Sequence, residues 1–337
     1  EGDQPPEKPL TVDVLIVGSG YGGAIAAMRL ADPANPERKV FVFERGKEYV
    51  TGEFPESLAE LPGHVQFLRN DRDLPIGYAD GLFDFRIDNP VSVLVGCGLG
   101  GGSLINANVA MVPGEDLFED SRWPKSLTEA ALLPSFKAVS ALLGVTKYEA
   151  KKFKALKKIA KSLGVSEENC KQADIAITTV TPQGGRNKFG IPQEACIGCG
   201  NCVTGCNYKA KNTLPMNALP LAKSRGAKLF TGVAVLSVEP DGDLDGKQGW
   251  KVRFRRTETS KTVLHQEVFT LHAEVVILAA GTLGSTEILL RSQEQGGVNF
   301  SSRLGERFST NGDMLAFGYG QEEEVNAVAT DDQPPDQ

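Results

Sequence analysis

Four of the six cysteines in this 337-residue chain lie close together at a spacing that can hold a metal. They follow the pattern C-x2-C-x2-C-x3-C and are Cys196, Cys199, Cys202 and Cys206. Thiolates bind iron and zinc, and this spacing brings several sulfurs around one small volume. Glycines between the cysteines allow the loop to wrap. The pattern predicts an iron–sulfur cluster, with zinc, a disulfide and free thiols as the alternatives.

The fourth ligand of such a cluster stays open. In two-cluster ferredoxins the last cysteine of the run serves the other cluster and precedes a proline, but here a single run exists and Asn207 follows Cys206. Cys206 can ligate locally, Cys97 or Cys170 can supply the remaining thiolate, or the cluster can hold three irons. Otherwise, Cys97 is expected to be a small buried residue, and Cys170 a solvent-near and inert one.

A glycine-rich motif near the start of the chain predicts a dinucleotide site. GSGYGG, residues 18–23, fits G-x-G-x-x-G directly after an apolar run. Gly18 permits a tight turn, Gly20 lets the backbone approach a pyrophosphate, and Gly23 lets a helix pack closely on a strand. The helix N-terminus then offers amide donors to the phosphates.

Glu44 stands where a dinucleotide fold places a ribose ligand. It closes the apolar run 40–43 and comes 21 residues after Gly23. A carboxylate there accepts hydrogen bonds from an adenosine ribose. NAD and FAD share this fingerprint, but a strand meander followed by EVVILAAGT favours FAD.

The elements around these motifs indicate an α/β fold. We expect an FAD/NAD(P)-binding Rossmann-like parallel sheet with a β-meander, plus a smaller substrate or cap region. Strands are predicted at 12–17, 40–43 and 91–95, with three antiparallel meander strands at 228–238, 250–256 and 263–271 and a further strand before AAGTLG. Helices are predicted at 24–31 and around 214–224. A third helix is predicted to follow a capping box at Ser126 to Glu129. A fourth is predicted over 151–163, where Gly164 ends the helix.

Charge and hydropathy exclude some classes of partner. The chain has 36 Lys and Arg against 43 Asp and Glu, a net charge of −7, which argues against a nucleic-acid partner. It lacks an apolar run approaching the roughly 20 residues that span a bilayer. Its first residues carry no signal-like apolar core, so the compartment is not readable, and a cytoplasmic location is favoured.

Three ordered motifs resemble a known family. VLIVGSGYGGAIAAMRL, VGCGLGGGSLINANV and AAGTLGSTEILL are similar to the FAD-contacting motifs of the glucose–methanol–choline (GMC) oxidoreductases, nearest to their cholesterol-oxidase-like branch. The resemblance covers most of residues 11–317. It implies bound FAD and oxidation of a CH–OH group, in an alcohol or sterol-like small molecule, by hydride transfer to the flavin.

The same resemblance assigns further cofactor residues. Those expected to line the flavin and the pyrophosphate are Gly101, Gly102, Asn106 and Val109, and those expected near the adenine and in the last glycine turn are Val233 and Gly281. Some relatives attach FAD through a histidine in the loop before Asn106. Leu104 and Ile105 hold the candidate positions here, so non-covalent FAD is expected.

The motifs divide the chain into discontinuous parts. The FAD-binding domain is predicted to comprise 11–50, 85–115 and 214–317. The cap or substrate region is predicted to comprise 51–84 and 116–213, with the cysteine loop at 194–213. An acidic and loosely packed tail is predicted at 318–337.

The base that such an oxidation needs is not evident. The resemblance places a catalytic histidine in a C-terminal segment, whereas His64, His265 and His272 fall where the fold puts structure. The catalytic residue is therefore unknown, and a complementing C-terminal segment or chain is expected.

The family also often carries a Gly-Cys-x-x-x-Ala-Lys segment without metal, so 205–211 can be partly structural.

These motifs together suggest why flavin and cluster would share one protein. A flavin accepts two electrons as hydride, and a cluster passes them on singly to an external acceptor. The alternatives are a metal-free sterol or alcohol oxidase, and a non-catalytic flavin-binding or electron-transfer subunit.

The helix over 151–163 has six lysines, which are expected to form a solvated face. The alternative is a docking face for an acidic electron acceptor.

Overall fold

The computed structural model describes residues 10–57, 59–69, 76–88, 91–148, 151–242, 248–257, 267–296, 298–310 and 312. His265, the start of the predicted strand 263–271 and the predicted acidic tail lie outside these residues. The chain divides into two compact units. The first consists of Glu1–Tyr49, Ala59–Ser103 and Ala218–Phe317, and the second of Val50–Leu58, Leu104–Asn217 and Gly318–Gln337. This division puts 59–84 with the first unit and 104–115 with the second, unlike the predicted boundaries.

The strands of the described residues all lie in the first unit. They are β1 (Thr11–Val17), β2 (Val40–Phe43), β3 (Val65–Arg69), β4 (Ile76–Gly77), β5 (Phe83–Ile87), β6 (Val93–Gly96), β7 (Lys228–Phe230), β8 (Val233–Pro240), β9 (Trp250–Arg256) and β10 (Val268–Leu278). Six of them form one sheet in the order β7-β2-β1-β10-β9-β8, and the other four form a sheet in the order β4-β3-β5-β6. The predicted α/β class is confirmed.

The meander is part of the main sheet and departs from the prediction at two points. The stretch 228–238 is not one strand, because the chain turns at Gly232 (φ +68°) and gives β7, parallel to β2, and then β8. The last predicted meander strand and the strand before AAGTLG are a single strand, β10. Its first half pairs antiparallel with β9 and its second half parallel with β1. An apolar pattern does not show which neighbour a strand pairs with, so it predicts the two halves as separate strands.

Both faces of the main sheet are covered, which explains the apolar run 14–17 in β1. Leu15 and Val17 pack on one face with Ile288, whereas Val14 and Ile16 pack on the other with Ala27. Strands of a parallel sheet buried on both sides read as continuous apolar segments. The carboxyl ends of β1 and β2 therefore sit on a rigid base.

The helices carry one further correction. They are α1 (Tyr21–Leu30), α2 (Glu115–Glu119), α3 (Glu129–Leu143), α4 (Lys151–Ser162), α5 (Ala218–Ser224) and α6 (Gly281–Glu294). The predicted capping box would make Ser126 the N-cap of α3, but Thr128 fills that position and its side chain accepts from the amide of Ala131. A hydroxyl at either position can accept a hydrogen bond from an unpaired amide of the first turn, so the spacing alone does not show which residue is the N-cap. Among the described residues, none of the helices is both long and apolar enough to cross a bilayer.

Candidate functional site

The glycine loop between β1 and α1 leaves the start of the helix open to a ligand. Gly20 is the N-cap of α1, without a side-chain cap, and the first turn has no acidic residue. The first amides of a helix have no partner within the helix and carry a partial positive charge. A loop of this kind accommodates a phosphate, because the backbone itself supplies the donors.

The glycines of this loop differ in the space around them. At Gly18 (φ +98°) an added Cβ would overlap the carbonyl of Ala279, and at Gly23 it would overlap the carbonyl oxygen of Gly18. At Gly20 and Gly102 an added Cβ would meet nothing within 4 Å. Gly18 and Gly23 are therefore needed for chain packing, whereas Gly20 and Gly102 face open space of the kind that a pyrophosphate requires. The loop therefore has room for a phosphate at Gly20, and the predicted contacts of these glycines with the phosphates of FAD stay predictions.

Ser19 connects the loop to Glu44. It was not predicted from the sequence, because it occupies a variable position of the motif. Its hydroxyl lies 2.6 Å from Oε2 of Glu44, and its amide donates to the same oxygen at 3.0 Å. The amide of Gly46 donates to Oε1 at 2.9 Å. The amide of Gly100 in turn donates to the Ser19 hydroxyl at 2.9 Å. Both side chains are buried, so Ser19 and Glu44 hold three loops at the carboxyl edge of the sheet.

The remaining predicted residues of the first unit lie at the same edge. An added Cβ on Gly101 (φ +54°) would lie 2.9 Å from Cα of Gly20, so the two glycine loops touch. Val233 donates its amide to the carbonyl of Glu44 at 2.9 Å. Gly281 (φ +74°) begins α6 next to Ala279, whose carbonyl crowds Gly18. The structure thus brings these residues together around the start of α1.

Asn106 and Val109 belong to the second unit. The side-chain oxygen of Asn106 accepts from the amide of Asn108 at 3.2 Å, and Asn108 is buried with a left-handed backbone (φ +55°). Val109 is exposed and forms an isolated bridge to Ile175. Their predicted contacts with the flavin stay predictions.

The four cysteines of the predicted cluster loop, in the second unit, line one small cavity of about 20 Å³. Gly198 (φ +72°), Gly200 (φ +80°) and Gly205 (φ +113°) turn the chain around it, as the sequence predicted. Burial raises the pKa of the Cys199 thiol. Among the described residues, no group of three or more His, Cys, Asp or Glu side chains is positioned to hold a metal ion. As they are arranged, the described side chains of the loop therefore do not fit an iron–sulfur cluster.

Lys211 is a buried cation beside this cavity, and the motif search did not single it out. Its ammonium donates to the carbonyl oxygens of Leu104 at 3.0 Å, Asn106 at 2.6 Å and Cys202 at 2.8 Å. Burial lowers the pKa of Lys211 to about 8. Three carbonyls satisfy the three donors of an ammonium, so Lys211 ties residues 104–106 to the cysteine loop.

Asn207 explains why this loop lacks the ferredoxin proline. Its side-chain oxygen accepts from the amides of Gly52 at 2.8 Å and Phe54 at 3.2 Å, and its amide group donates to the carbonyl of Phe54 at 2.9 Å. A proline could make none of these bonds. The contacts of Asn207 and Lys211 support the structural interpretation of segment 205–211 that the sequence left open.

Comparison with known proteins decides the family. The family model described as GMC oxidoreductase matches residues 12–310, which is most of the chain. The chain belongs to the GMC oxidoreductase family. The resemblance predicted from the three motifs is therefore confirmed, and family membership supports FAD as the cofactor.

Relatives of this GMC protein include several oxidases. A cholesterol oxidase from Acinetobacter baumannii is 30% identical over 324 residues, which cover 90% of this chain and 54% of that protein. A cholesterol oxidase from Mycobacterium tuberculosis is 31% identical, with 90% and 52% covered. Long-chain-alcohol oxidase FAO3 from Arabidopsis thaliana is 24% identical, with 94% and 38% covered. The GMC chain thus spans about half the length of the cholesterol oxidases it matches.

Solved structures agree on the fold of this GMC protein. The chain superposes on pyridoxine 4-oxidase from Mesorbium loti with a TM-score of 0.50 at 18% identity, covering 83% of this chain and 52% of the other. At this identity the likeness concerns the fold alone.

Glu44 offers a first test of the site in this GMC chain. Glu44→Ala is expected to weaken FAD binding by about 1.5–3 kcal/mol, through loss of a charge-assisted contact with the ribose. Isothermal titration of the apoprotein with FAD measures this. Ser19→Ala, which removes the hydroxyl that holds the carboxylate of Glu44 but leaves the carboxylate itself, is expected to have a smaller effect. If Glu44→Ala unfolds more easily but binds FAD as the wild type does, Glu44 only supports the loop.

Cys97 is expected to be chemically silent in the folded GMC chain. Its side chain is 2% exposed, and burial raises its pKa to about 12. The thiolate is the reactive form, so iodoacetamide near neutral pH should leave Cys97 unmodified while the half-buried loop cysteines react. Peptide mass spectrometry before and after unfolding in urea measures this. Labelling of Cys97 in the native protein at the rate of Cys170 would contradict its burial.

Proposed function

We propose that this chain binds FAD non-covalently at the glycine loops of its first unit, as part of an oxidoreductase that oxidises the CH–OH group of an alcohol or sterol-like molecule. The observation that carries the proposal is the open space at Gly20 and Gly102, next to an uncapped helix start. The family match and the names of the relatives, cholesterol oxidase and long-chain-alcohol oxidase, supply the substrate class.

The residues of the chain have separate tasks in this proposal. The first amides of α1 neutralise the pyrophosphate, and Gly20 lets it approach the backbone. Glu44 accepts the ribose hydroxyls, and Ser19 fixes its carboxylate by the 2.6 Å contact. Bound FAD would supply the acceptor for the hydride of the alcohol carbon. Buried contacts at the carboxyl edge of the sheet keep these groups preorganised, so ordering them costs little on binding.

A general base must take the hydroxyl proton as hydride leaves, and it typically contributes 10²–10⁴ in rate. His272 is hydrogen-bonded through Nδ1 to Asp241 at 2.5 Å, and the His64 ring lies beside Tyr49 with 5.9 Å between centroids. His272 is thus engaged by a carboxylate, and His64 is in ring contact with Tyr49. We assign the base to a complementing C-terminal segment, in the same chain or in a partner.

Anaerobic mixing with substrate tests the proposed reaction. The FAD-loaded chain, alone and with the complementing segment, is mixed with a long-chain primary alcohol or a sterol, and loss of flavin absorbance is followed. We expect fast bleaching in the presence of the segment, and none with the methyl ether of the same alcohol. Fast bleaching by the chain alone that is lost on His64→Ala would make His64 the base. FAD that stays oxidised under all conditions would favour a flavin-binding or electron-transfer subunit.

An iron–sulfur cluster is a separate proposal for the cysteine loop. The spacing of the four cysteines and their shared cavity support it, while the present arrangement of the side chains does not fit a cluster. The proposed reaction therefore includes no electron transfer through a cluster. Iron and acid-labile sulfide in anaerobically prepared protein, lost in Cys199→Ser with FAD retained, would support the cluster and an external electron acceptor. Zinc without sulfide would indicate a structural metal. A protein that contains neither metal would favour the metal-free oxidase.

A further inference from the structure

Helix α4 of the second unit has a charge pattern that contrasts with the rest of the chain. Residues 151–162 read KKFKALKKIAKS and include six lysines and no acidic residue, in a chain with a net charge of −7. Gly164 (φ +73°) ends the helix, as predicted, and the amide of Val165 donates back to the carbonyl of Ala160 at 2.9 Å. The helix is thus a well-terminated element with a strong local positive charge.

One side of α4 is apolar and faces solvent. At 3.6 residues per turn, Phe153, Leu156, Ile159, Ala160 and Leu163 share one side. Of these, Leu156 is 56%, Ile159 43% and Leu163 73% exposed. A helix that packs on a core buries its apolar side, whereas this one is exposed. The apolar side of α4 therefore does not pack against the described residues of its own unit and is available to a binding partner.

The other side of α4 presents positive charge. Lys154, Lys157, Lys158 and Lys161 are exposed. Between described residues, no ion pair involves Lys154, Lys157 or Lys161. The ammonium of Lys157 leans over the ring of Phe153, 4.9 Å from its centroid, at the border of the apolar side. A lysine at that border can cover apolar surface with its stem and keep its charge in water.

We propose that α4 lies on an anionic lipid surface, with its apolar side among the acyl chains and its lysines at the head groups. A bilayer with acidic lipids offers both partners at once, whereas an acidic protein would satisfy the lysines and leave Leu156, Ile159 and Leu163 in water. The inference rests on the proposed function in one respect, since a sterol or long-chain alcohol is held in such a membrane. Binding to lipid is nevertheless measurable without substrate or turnover.

Vesicle sedimentation of the whole chain tests this docking. The probes are phosphatidylcholine vesicles with and without phosphatidylserine, at low and high salt and without any alcohol or sterol. We expect the wild type to sediment with the anionic vesicles, and to be released by removal of phosphatidylserine or by salt. Since each lysine near such a surface contributes about fivefold, Lys154→Gln with Lys161→Gln should lower the partition coefficient roughly 25-fold.

Matched variants separate the two sides of the helix. Leu156→Gln with Ile159→Gln should lower the partition coefficient at least about 30-fold. Val180→Gln, at another exposed apolar residue of the same unit, should leave it unchanged. Lys125→Gln with Lys137→Gln removes the same charge elsewhere in the unit and should have little effect. Circular dichroism of each variant checks that the fold persists.

Three results would overturn the proposal. Wild type that stays in the supernatant with both vesicles rules out lipid docking. Binding of polyglutamate that depends on Lys154 and Lys161 but not on Leu156 and Ile159 would assign the helix to an acidic protein. Self-association that disappears in Leu156→Gln with Ile159→Gln would assign the apolar side to a second copy. Each of these results is independent of whether the flavin bleaches with an alcohol.

Discussion

Gly20→Ala is expected to impair FAD binding while leaving the protein folded. The backbone of Gly20 is extended (φ −65°, ψ −169°), a conformation that alanine adopts freely, and an added Cβ would meet no protein atom within 4 Å. The methyl group would instead occupy the space that we assign to the pyrophosphate. Crowding of this kind costs about 1–3 kcal/mol, so we expect roughly 5- to 150-fold weaker binding in an FAD titration. Alanine is a poorer N-cap than glycine, so a small decrease in the unfolding temperature is expected as well.

Two neighbouring glycines make the comparison decisive. Gly22→Ala places a Cβ at ordinary contact, 3.8 Å from the Cβ of Ala279, and should keep FAD while stabilising α1 by about 0.5–1 kcal/mol. Gly23→Ala overlaps the carbonyl of Gly18 and should lower both stability and FAD binding. If Gly20→Ala binds FAD as well as Gly22→Ala does, the phosphates lie elsewhere.

Lys211→Met is expected to destabilise the protein and to change how its stability depends on pH. The substitution leaves the carbonyls of Leu104, Asn106 and Cys202 without their donor, and such a loss costs about 1–3 kcal/mol for each buried group. Relief of the buried charge offsets part of this cost, since burial lowers the pKa of Lys211 to about 8. We expect a net loss of about 1–3 kcal/mol near neutral pH, measured by urea unfolding.

The sign of the pH effect follows from that lowered pKa. Between about pH 8 and 10.5 the unfolded chain keeps a proton on Lys211 that the folded chain has released, so the folded state gains stability as the pH rises. The stability difference between wild type and Lys211→Met should therefore widen across this range, by up to about 3 kcal/mol. Lys188→Met is the control, because that exposed ammonium also donates to a carbonyl, of Ala141 at 2.7 Å. An equal effect of both variants would contradict a special role for Lys211.

The sequence predicted the parts of the site that local backbone rules determine. Gly18 and Gly23 could be recognised because a tight turn and a close helix–strand contact leave no room for a side chain there. Glu44 could be placed because it ends a buried strand at a fixed interval after the glycine loop. The continuous apolar runs of β1 and β2 reflect burial on both faces of a sheet, which is also a local signal.

What sequence reasoning missed depends on contacts between distant segments. Ser19 contacts Glu44, 25 residues away, and Lys211 contacts Leu104, 107 residues away. Neither contact can be predicted from the residues next to Ser19 or Lys211 in the sequence. Asn207 could be noted only as a departure from a proline, and its three contacts with Gly52 and Phe54 show what it does instead. The continuity of β10 was missed for the same reason, because its pairing with β9 and then with β1 involves segments that are distant in the chain.

The most direct measurement of the central claim is the FAD content of the folded chain and its fate on denaturation. Wild type and Gly20→Ala are purified, loaded with FAD, washed and precipitated with acid, and the flavin in supernatant and pellet is quantified. We predict an equimolar amount of FAD in the wild-type supernatant, and little in that of Gly20→Ala despite an equal content of folded protein. Flavin that remains in the pellet, folded wild type without FAD, or equal FAD in both proteins would contradict a non-covalent site at these glycine loops.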